Sequence, residues 1–378
     1  MSKILFISNL SNKIGSFAIA SIAAAKSLDL DFYHAANWKN GNASQIKTDE
    51  LTYGIKISNV PISRNPFTAS NIKAYKELIS LVKREKIDII HCNTPTGGLL
   101  GRFVGMKCKV KKVIYQAHGF HFYKGAPKKN WLLYYPIEKW LARYTDALIT
   151  INREDYEFAK NKLKLRNGGK VYYVPGVGID SASYQDTTHN KENKRRELEL
   201  NENDVALISM GDLIARKNYA TSLEAIAKTN NPNLHYFNCG RGPEEHNLKM
   251  LSEQLGIGHQ VHFLGFRSDI KELLCAADIF LFSTKQEGLP RSMMEAMASG
   301  LPCIASNIRG NIDLIAEGKG GFLCTPTDSD AFAGAINALA ADDQLCQKMS
   351  EFNLNRIKDF DVTIVREELR KIYCKIGE

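Results

Sequence analysis

Ile279-Phe-Leu-Phe282-Ser-Thr-Lys-Gln-Glu287-Gly-Leu-Pro290-Arg-Ser-Met-Met-Glu295-Ala-Met-Ala-Ser-Gly300-Leu-Pro302-Cys-Ile-Ala305 is the stretch that decides the architecture. An apolar run feeds a polar loop, and Pro290 has the fixed φ suited to a first helical turn. A second apolar run, 302–305, follows Gly300. Strand, helix and strand in that order make one crossover of a parallel sheet. Unpaired N–H groups at the helix start, near Arg291 and Ser292, suit a phosphate. Glu287 stands in the loop ahead of them, within reach of a sugar ring beyond that phosphate. Glu295 lies over a turn further on, among Met293, Met294, Ala296 and Met297. A carboxylate there is costly unless it accepts hydrogen bonds, and a ribose diol would donate two. Read alone, Glu295 also fits a solvated helix face.

The same rhythm extends outward in both directions. Residues 205–210, 234–238 and 261–264 read as further strands of the second half. In the first half, 3–8, 87–91, 112–118, 147–151 and 171–174 read as strands. Helical spacing of apolar residues covers 72–86, 130–143 and 154–164. The polar stretch 181–203 interrupts the series and is expected to be a linker with a short charged helix. At 378 residues the chain exceeds one ordinary core. The expected organisation is therefore a Rossmann-like domain over 1–180, a linker over 181–203 and a second Rossmann-like domain over 204–360. The terminal helix 361–378 is expected to pack back on the first domain. Two doubly wound α/β domains place a ligand at the carboxyl ends of their sheets, in an interdomain cleft.

Two further constellations point to a diphosphate. Met210-Gly211-Asp-Leu-Ile-Ala-Arg216-Lys217-Asn218 follows the strand 205–210. A glycine turn and paired cations at a helix start suit a pyrophosphate, because Arg clamps two oxygens while Lys supplies a point charge. His118 closes the strand 112–118, and a histidine at that end of an α/β strand faces the crevice.

The run from Glu287 to Pro302 resembles the Glu-x7-Glu motif of the retaining family-4 glycosyltransferases, which have the GT-B fold. The resemblance implies that Glu287 contacts donor-sugar hydroxyls, that Glu295 holds the nucleotide ribose, and that Arg216 and Lys217 stabilise the departing diphosphate. It places Arg241 beside ribose or phosphate, backbone near Phe266 against the base, and His118 beside the transferred sugar. It also brings backbone N–H groups at Gly15 to the phosphates. Two departures stand out: Asp212 occupies a place where many members have arginine, and Ser16 one where many have a second glycine. The implied reaction moves a sugar, with retention and without a dedicated metal or other cofactor, from a nucleotide-sugar, most simply a UDP-sugar. The segment from His118 to Pro136 is similar to members that build bacterial capsule and exopolysaccharide, whose acceptors are lipid-diphosphate-linked sugars.

Charge and composition bound the alternatives. Residues 1–180 carry 28 Lys and Arg against 13 Asp and Glu, a net +15, while the remainder carries −6. One half therefore suits an anionic surface, either nucleic acid or an acidic membrane. A nucleic-acid-binding protein would leave Glu287, Glu295 and Lys217 without a role, so no nucleic-acid partner is expected. A sugar-nucleotide 2-epimerase of the same fold fits the Glu287–Glu295 context less well than a transferase. A nicotinamide dehydrogenase would need a G-x-G-x-x-G fingerprint, which neither 8–15 nor 211–218 supplies. Asp29-Leu-Asp31 is a D-x-D string, but it precedes any completed nucleotide unit, and no metal site is expected. The eight scattered cysteines form no CxxC pair and read as reduced core residues. The short apolar run at 4–7 reads as a buried first strand rather than a signal peptide, so the cytoplasm is the expected location. No apolar stretch reaches the roughly 20 residues of a spanning helix. Aromatic residues and leucines beside Lys124, Lys128, Lys129 and Trp131 suit a headgroup boundary. Residues 120–131 are accordingly expected to be an exposed loop on the inner face of an anionic membrane.

Overall fold

The computed structural model describes residues 2–38, 42–185 and 191–377. The chain divides into two units, Met1–Gly178 with Val362–Glu378, and Ile179–Asp361.

The first unit is built on seven parallel strands: β1 Lys3–Leu10, β2 Asp31–Asn37, β3 Lys56–Asn59, β4 Ile89–Asn93, β5 Lys112–Ala117, β6 Ala147–Thr150 and β7 Lys170–Tyr173. Their order is β3-β2-β1-β4-β5-β6-β7. Alternation along β1 explains why both faces are covered. Leu5 and Ile7 join Tyr33, Ile90, Cys92 and Tyr115 in one core, with Leu78 and Val104 from the covering helices. Ile4 and Phe6 join Phe32, Ile89 and Ile114 in the other, with Ile22. The second core is completed by the terminal helix Val362–Gly377, which buries Val365, Leu369, Ile372, Tyr373 and Ile376 at helical spacing. Each such side chain contributes about 1.5–3 kcal/mol of burial. The crossing is close: a Cβ on Gly178, at φ +72, would lie 2.6 Å from Val362 Cα. Tyr373 then sets its hydroxyl 2.6 Å from His91 Nδ1.

The helix Pro95–Cys108 was not legible in the sequence. Its Gly98, Gly101 and Gly105 lie against the sheet, where a Cβ would come within 2.3 Å of the Tyr115 ring, 2.4 Å of Cys92 Cβ and 2.5 Å of Val113. Glycine lowers helix propensity, and only the facing strands explain its presence. Asp29 and Asp31 stand at the entry to β2, where Asp31 pairs with Lys3, the first residue of β1. They therefore lie at the amino end of the sheet.

The second unit carries β8 Val205–Met210, β9 Leu234–Cys239, β10 Val261–Gly265, β11 Ile279–Phe282, β12 Cys303–Ser306 and β13 Gly321–Cys324, in the order β10-β9-β8-β11-β12-β13. All are parallel, and Leu207, Tyr236, Leu281 and Ile304 meet Leu223, Ile226, Phe332 and Ile336 in its core. The described part of 181–203 is not a free linker. Its helix Lys191–Glu197 is tied down by Lys194 Nζ to Asp269 Oδ2 at 2.9 Å and by Arg195 Nη1 to Asp278 Oδ2 at 2.9 Å. Its polar composition reflects ion pairing to the second unit. Residues 186–190 of the expected linker lie outside the described residues.

Candidate active site

In each unit the strand order reverses at one place, between β1 and β4 and between β8 and β11. The crevice beyond the carboxyl ends of such a strand pair is where open α/β sheets bind ligands.

In the second unit the loops leaving β8 and β11 converge. Residues 215–217 form a short helical turn ended by Asn218 at φ 57, whose Nδ2 donates to the carbonyls of Ser283 and Pro326 at 3.0 and 2.8 Å. Lys285 N donates to Arg216 O at 2.9 Å, so the two loops are one hydrogen-bonded assembly. Glu287 Oε1 is its centre. It accepts from Lys217 Nζ at 2.9 Å, Arg216 Nη1 at 2.8 Å and Thr284 Oγ1 at 3.1 Å. The Lys217 ammonium also lies 4.7 Å from the centroid of the Phe282 ring. One carboxylate shared by two cations leaves a local charge of +1, and the Lys217 and Glu287 side chains are only 11% and 13% exposed. Attraction at such a partly desolvated place is stronger than in bulk water.

The glycines around this assembly have packing reasons. Gly211 has φ +146, and a Cβ there would press on Lys217 Cε at 3.1 Å and Tyr219 Oη at 3.2 Å. Gly240 and Gly242 allow the loop after β9 to stack on the one after β8, since a Cβ on either would collide with Gly211 O or Leu213 O. The Gly-x-Gly string thus serves loop packing. It leaves the exposed Arg241 beside Gly265, directly before Phe266, which is 75% exposed.

The helix Arg291–Ala298 starts after Pro290. Met294 N is the first to find an i−4 carbonyl, at 3.3 Å from Pro290 O, so the amides of Arg291, Ser292 and Met293 precede the helical ladder. Met293, Met294 and Met297 are fully buried, while Glu295 is half-buried on the adjoining face. Glu295 Oε1 accepts from Arg291 Nε at 2.9 Å. Burial and the nearby Glu295 carboxylate together raise the pKa of the Tyr184 phenol far above its usual range. Arg291 thus reaches along its own helix to Glu295, and that carboxylate is satisfied within the unit.

In the first unit His118 lies beyond β5, with Nε2 3.0 Å from Asn93 Oδ1 and its ring stacked on Phe17 at 3.8 Å. Burial lowers its pKa to about 4, so the imidazole is neutral at pH 7. With the Asn93 oxygen as acceptor, Nε2 carries the proton and Nδ1 can accept one. Phe17 belongs to the helix Ser16–Lys26, whose N-cap is Gly15. The stacking therefore brings the Gly15 turn and His118 together. Unlike Gly211, Gly15 has a negative φ, and a Cβ on it would meet nothing within 4 Å. Nothing among the described residues requires glycine there.

The expected exposed loop 120–131 is corrected by the structure. Phe120 and Phe122 are 3% exposed and stack on one another at 4.8 Å. Trp131 is half-buried against Phe122, Tyr135 and Phe158. Phe120, Phe122 and Trp131 thus close a core instead of meeting solvent. Lys124, Lys128 and Lys129 are exposed, and the outward apolar face belongs to the helix Lys128–Leu141, with Leu132 79%, Leu133 51%, Ile137 43% and Trp140 42% exposed. Among the described residues no helix is long and apolar enough to cross a membrane.

Several participants escaped sequence reasoning. Arg309 is buried and donates from Nε to Glu287 O at 3.3 Å, and Gly310 at φ +84 lets its loop approach Gly288. An Arg-Gly pair after the strand 302–305 was the available signal. Tyr184, Thr284, Asn93 and Phe17 carried none, because their roles are contacts across the fold.

Two doubly wound parallel units, one gathering an acid and two cations at its switch point and the other a neutral histidine near its own, define a GT-B transferase. Residues 190–356 match the family described as glycosyl transferases group 1, and 3–152 that described as glycosyl transferase 4-like. The chain belongs to the family-4 glycosyltransferases and is similar to bacterial glycosyltransferases, among them the capsular polysaccharide biosynthesis glycosyltransferase CapM of Staphylococcus aureus. The putative glycosyltransferase EpsD of Bacillus subtilis (strain 168) is 36% identical over 98% of this chain and 96% of its own. The Escherichia coli UDP-Gal:alpha-D-GlcNAc-diphosphoundecaprenol alpha-1,3-galactosyltransferase is 30% identical over 86% and 85%. Among solved structures, Anabaena Alr3699/HepE in complex with UDP and glucose has a TM-score of 0.79 at 21% identity, over 99% of this chain and 100% of that one.

Proposed function

We propose that this glycosyltransferase moves a sugar with retention from a UDP-sugar to a lipid-diphosphate-linked sugar during assembly of a bacterial capsule or exopolysaccharide. The observation that carries the reading is Glu287 held by Lys217 and Arg216 at the β8/β11 switch point. The second unit binds the donor. Glu295 takes the ribose, the amides at Arg291 and Ser292 and the Gly211 turn take phosphate oxygens, and Arg241 and Phe266 flank ribose and base. As the glycosidic C–O bond breaks, charge develops on the diphosphate, and Lys217 and Arg216 are already in place to stabilise it. No step is assigned to a metal, because these two cations supply the charge a metal would bring. Glu287 orients donor-sugar hydroxyls. The acceptor oxygen bonds to the anomeric carbon on the face the diphosphate leaves, and its proton passes to a leaving phosphate oxygen.

The first unit binds the acceptor. His118 serves as a neutral hydrogen-bond partner for the transferred sugar, and the Gly15 turn offers backbone amides to phosphates. The lipid-linked acceptor is supported by the Escherichia coli relative, whose name specifies a diphosphoundecaprenol acceptor. Peripheral attachment to the inner face of the cytoplasmic membrane goes with it, through Lys124, Lys128, Lys129 and the exposed face of the helix Lys128–Leu141.

The test is product analysis by mass spectrometry, using a panel of UDP-sugars with undecaprenyl-diphosphate-linked sugars, followed by NMR of the anomeric configuration. An α-linked product from an α-configured donor is expected. A β-linked product would overturn retention, and release of UDP with a 2-epimer in the absence of acceptor would overturn the transferase reading.

A further inference from the structure

Two cavities of the first unit meet at Arg64 and Pro95. One is a notch of about 310 Å³ at the β1/β4 switch point with a mixed wall, lined by Ser8, Asn9, Leu10 and Thr94 as well. The other is a groove of about 750 Å³ with mainly apolar walls. Leu133 and Ile137 of the helix Lys128–Leu141 line it together with Phe67, which is 89% exposed. His118 lines it too. Arg64 is exposed, and its guanidinium has no carboxylate partner among the described residues.

A small recess carrying Ser8, Asn9 and Thr94 and a mainly apolar groove, sharing the Arg64 cation, match the two halves of an anionic amphiphile. Leu133 and Ile137 also belong to the outward apolar face flanked by exposed Lys128 and Lys129, so the groove opens along the surface that would lie on a membrane. We infer that this pair of cavities is the acceptor's lipid site: the isoprenoid next to the diphosphate lies along Phe67, Leu133 and Ile137, and Arg64 clamps the diphosphate at the junction. The inference rests on the lipid-linked acceptor proposed above and names the residues that would recognise it. Arg guanidinium suits this place because its planar fork grips phosphate oxygens in pairs.

Geranyl diphosphate is a soluble probe with both halves. Calorimetry on the full chain should show saturable binding, at least tenfold tighter than inorganic diphosphate or geraniol, that persists in saturating UDP. Arg64→Ala should weaken it roughly ten- to hundred-fold, the usual cost of losing a charged hydrogen-bond partner. Ile137→Asp, at a half-exposed position that should not disturb folding, should weaken it at least tenfold by placing a carboxylate in the apolar wall. Both variants should keep the wild-type melting temperature and UDP affinity. Absence of saturable binding, complete displacement by UDP, or unchanged affinity in both variants would overturn the assignment. Loss of UDP binding by the wild type while geranyl diphosphate is still held would instead remove the donor reading and leave the lipid site standing.

Discussion

Replacing Glu287 by Gln separates two roles that most substitutions would confound. The carboxylate holds Lys217 at 2.9 Å and Arg216 at 2.8 Å, so in the free protein both cations are already partly neutralised. A diphosphate must therefore compete with Glu287 for them. The amide side chain of the Glu287→Gln variant retains an oxygen for the same contacts and for Thr284 Oγ1, which keeps the loop in place, but it removes the negative charge, so each contact to a cation weakens by about half the value of the bond. Each cation should be released by about 0.7 kcal/mol, half of the roughly 1.5 kcal/mol low-end value of such a bond. UDP affinity should then rise by up to about tenfold. Turnover should fall ten- to hundred-fold or more, because the carboxylate that orients the donor sugar is lost. Lys217→Ala should do the opposite to binding and lower UDP affinity roughly ten- to hundred-fold. The assay is calorimetry with UDP alongside initial rates for both variants. If Glu287→Gln weakens UDP as much as Lys217→Ala does, Glu287 is a structural brace for the loop, and its assignment to the donor sugar fails.

Glu295→Ala should also lose UDP affinity ten- to hundred-fold, and an unchanged calorimetric constant would remove the ribose assignment. Turnover should persist in EDTA, whereas activity lost to chelator and restored by manganese or magnesium would place a metal in the mechanism. Burial lowers the pKa of His34 and His118 to about 4 and of His91 to about 3, below the ordinary 6.5. The unfolded chain therefore binds more protons between about pH 4 and 6.5, and stability present above pH 6.5 is lost as pH falls through that window. Melting temperature should drop between pH 7 and 4.5, and an identical value at both would refute the buried neutral state. For the same reason the rate should show no limb near pH 6.5 traceable to His118, as comparison with a His118→Asn variant would reveal. Changing Lys124, Lys128 and Lys129 together to Ser removes about 1 kcal/mol of attraction each at an anionic surface. Flotation with anionic vesicles should fall while UDP affinity stays constant, and unchanged flotation would exclude these lysines. Trp131→Ala should lower the melting temperature, because that ring packs on Phe122, Tyr135 and Phe158.

Much of the architecture could be read from the chain alone. The strand, loop and helix from Ile279 to Ala298 appear where the apolar run, Pro290 and the methionine face indicated. Hydrophobic periodicity and turn chemistry are local properties, expressed within a few residues of their cause. The cations at 216–217 and the acid at Glu287 were legible for the same reason, since each follows an apolar strand directly. Their meeting on one carboxylate oxygen was not, because those positions lie about 70 residues apart and are joined only by the adjacency of β8 and β11.

Other features belonged to the tertiary structure from the outset. Gly98, Gly101 and Gly105 offer no local reason for a helix, and only the sheet beneath them shows why no Cβ fits. The aromatic run after His118 looks interfacial by composition, yet burial on Phe158 claims Phe122 and Trp131 and leaves Leu132, Leu133, Ile137 and Trp140 outside. Residues 191–197 look like linker until Asp269 and Asp278 pair with them. Arg64 carries no motif and gains its place only where two cavities meet. Sequence determined the class of fold and the chemistry of its loops because those depend on neighbours along the chain. The structure decided which side chains are shared, buried or left to solvent, because those depend on partners that folding brings from far away.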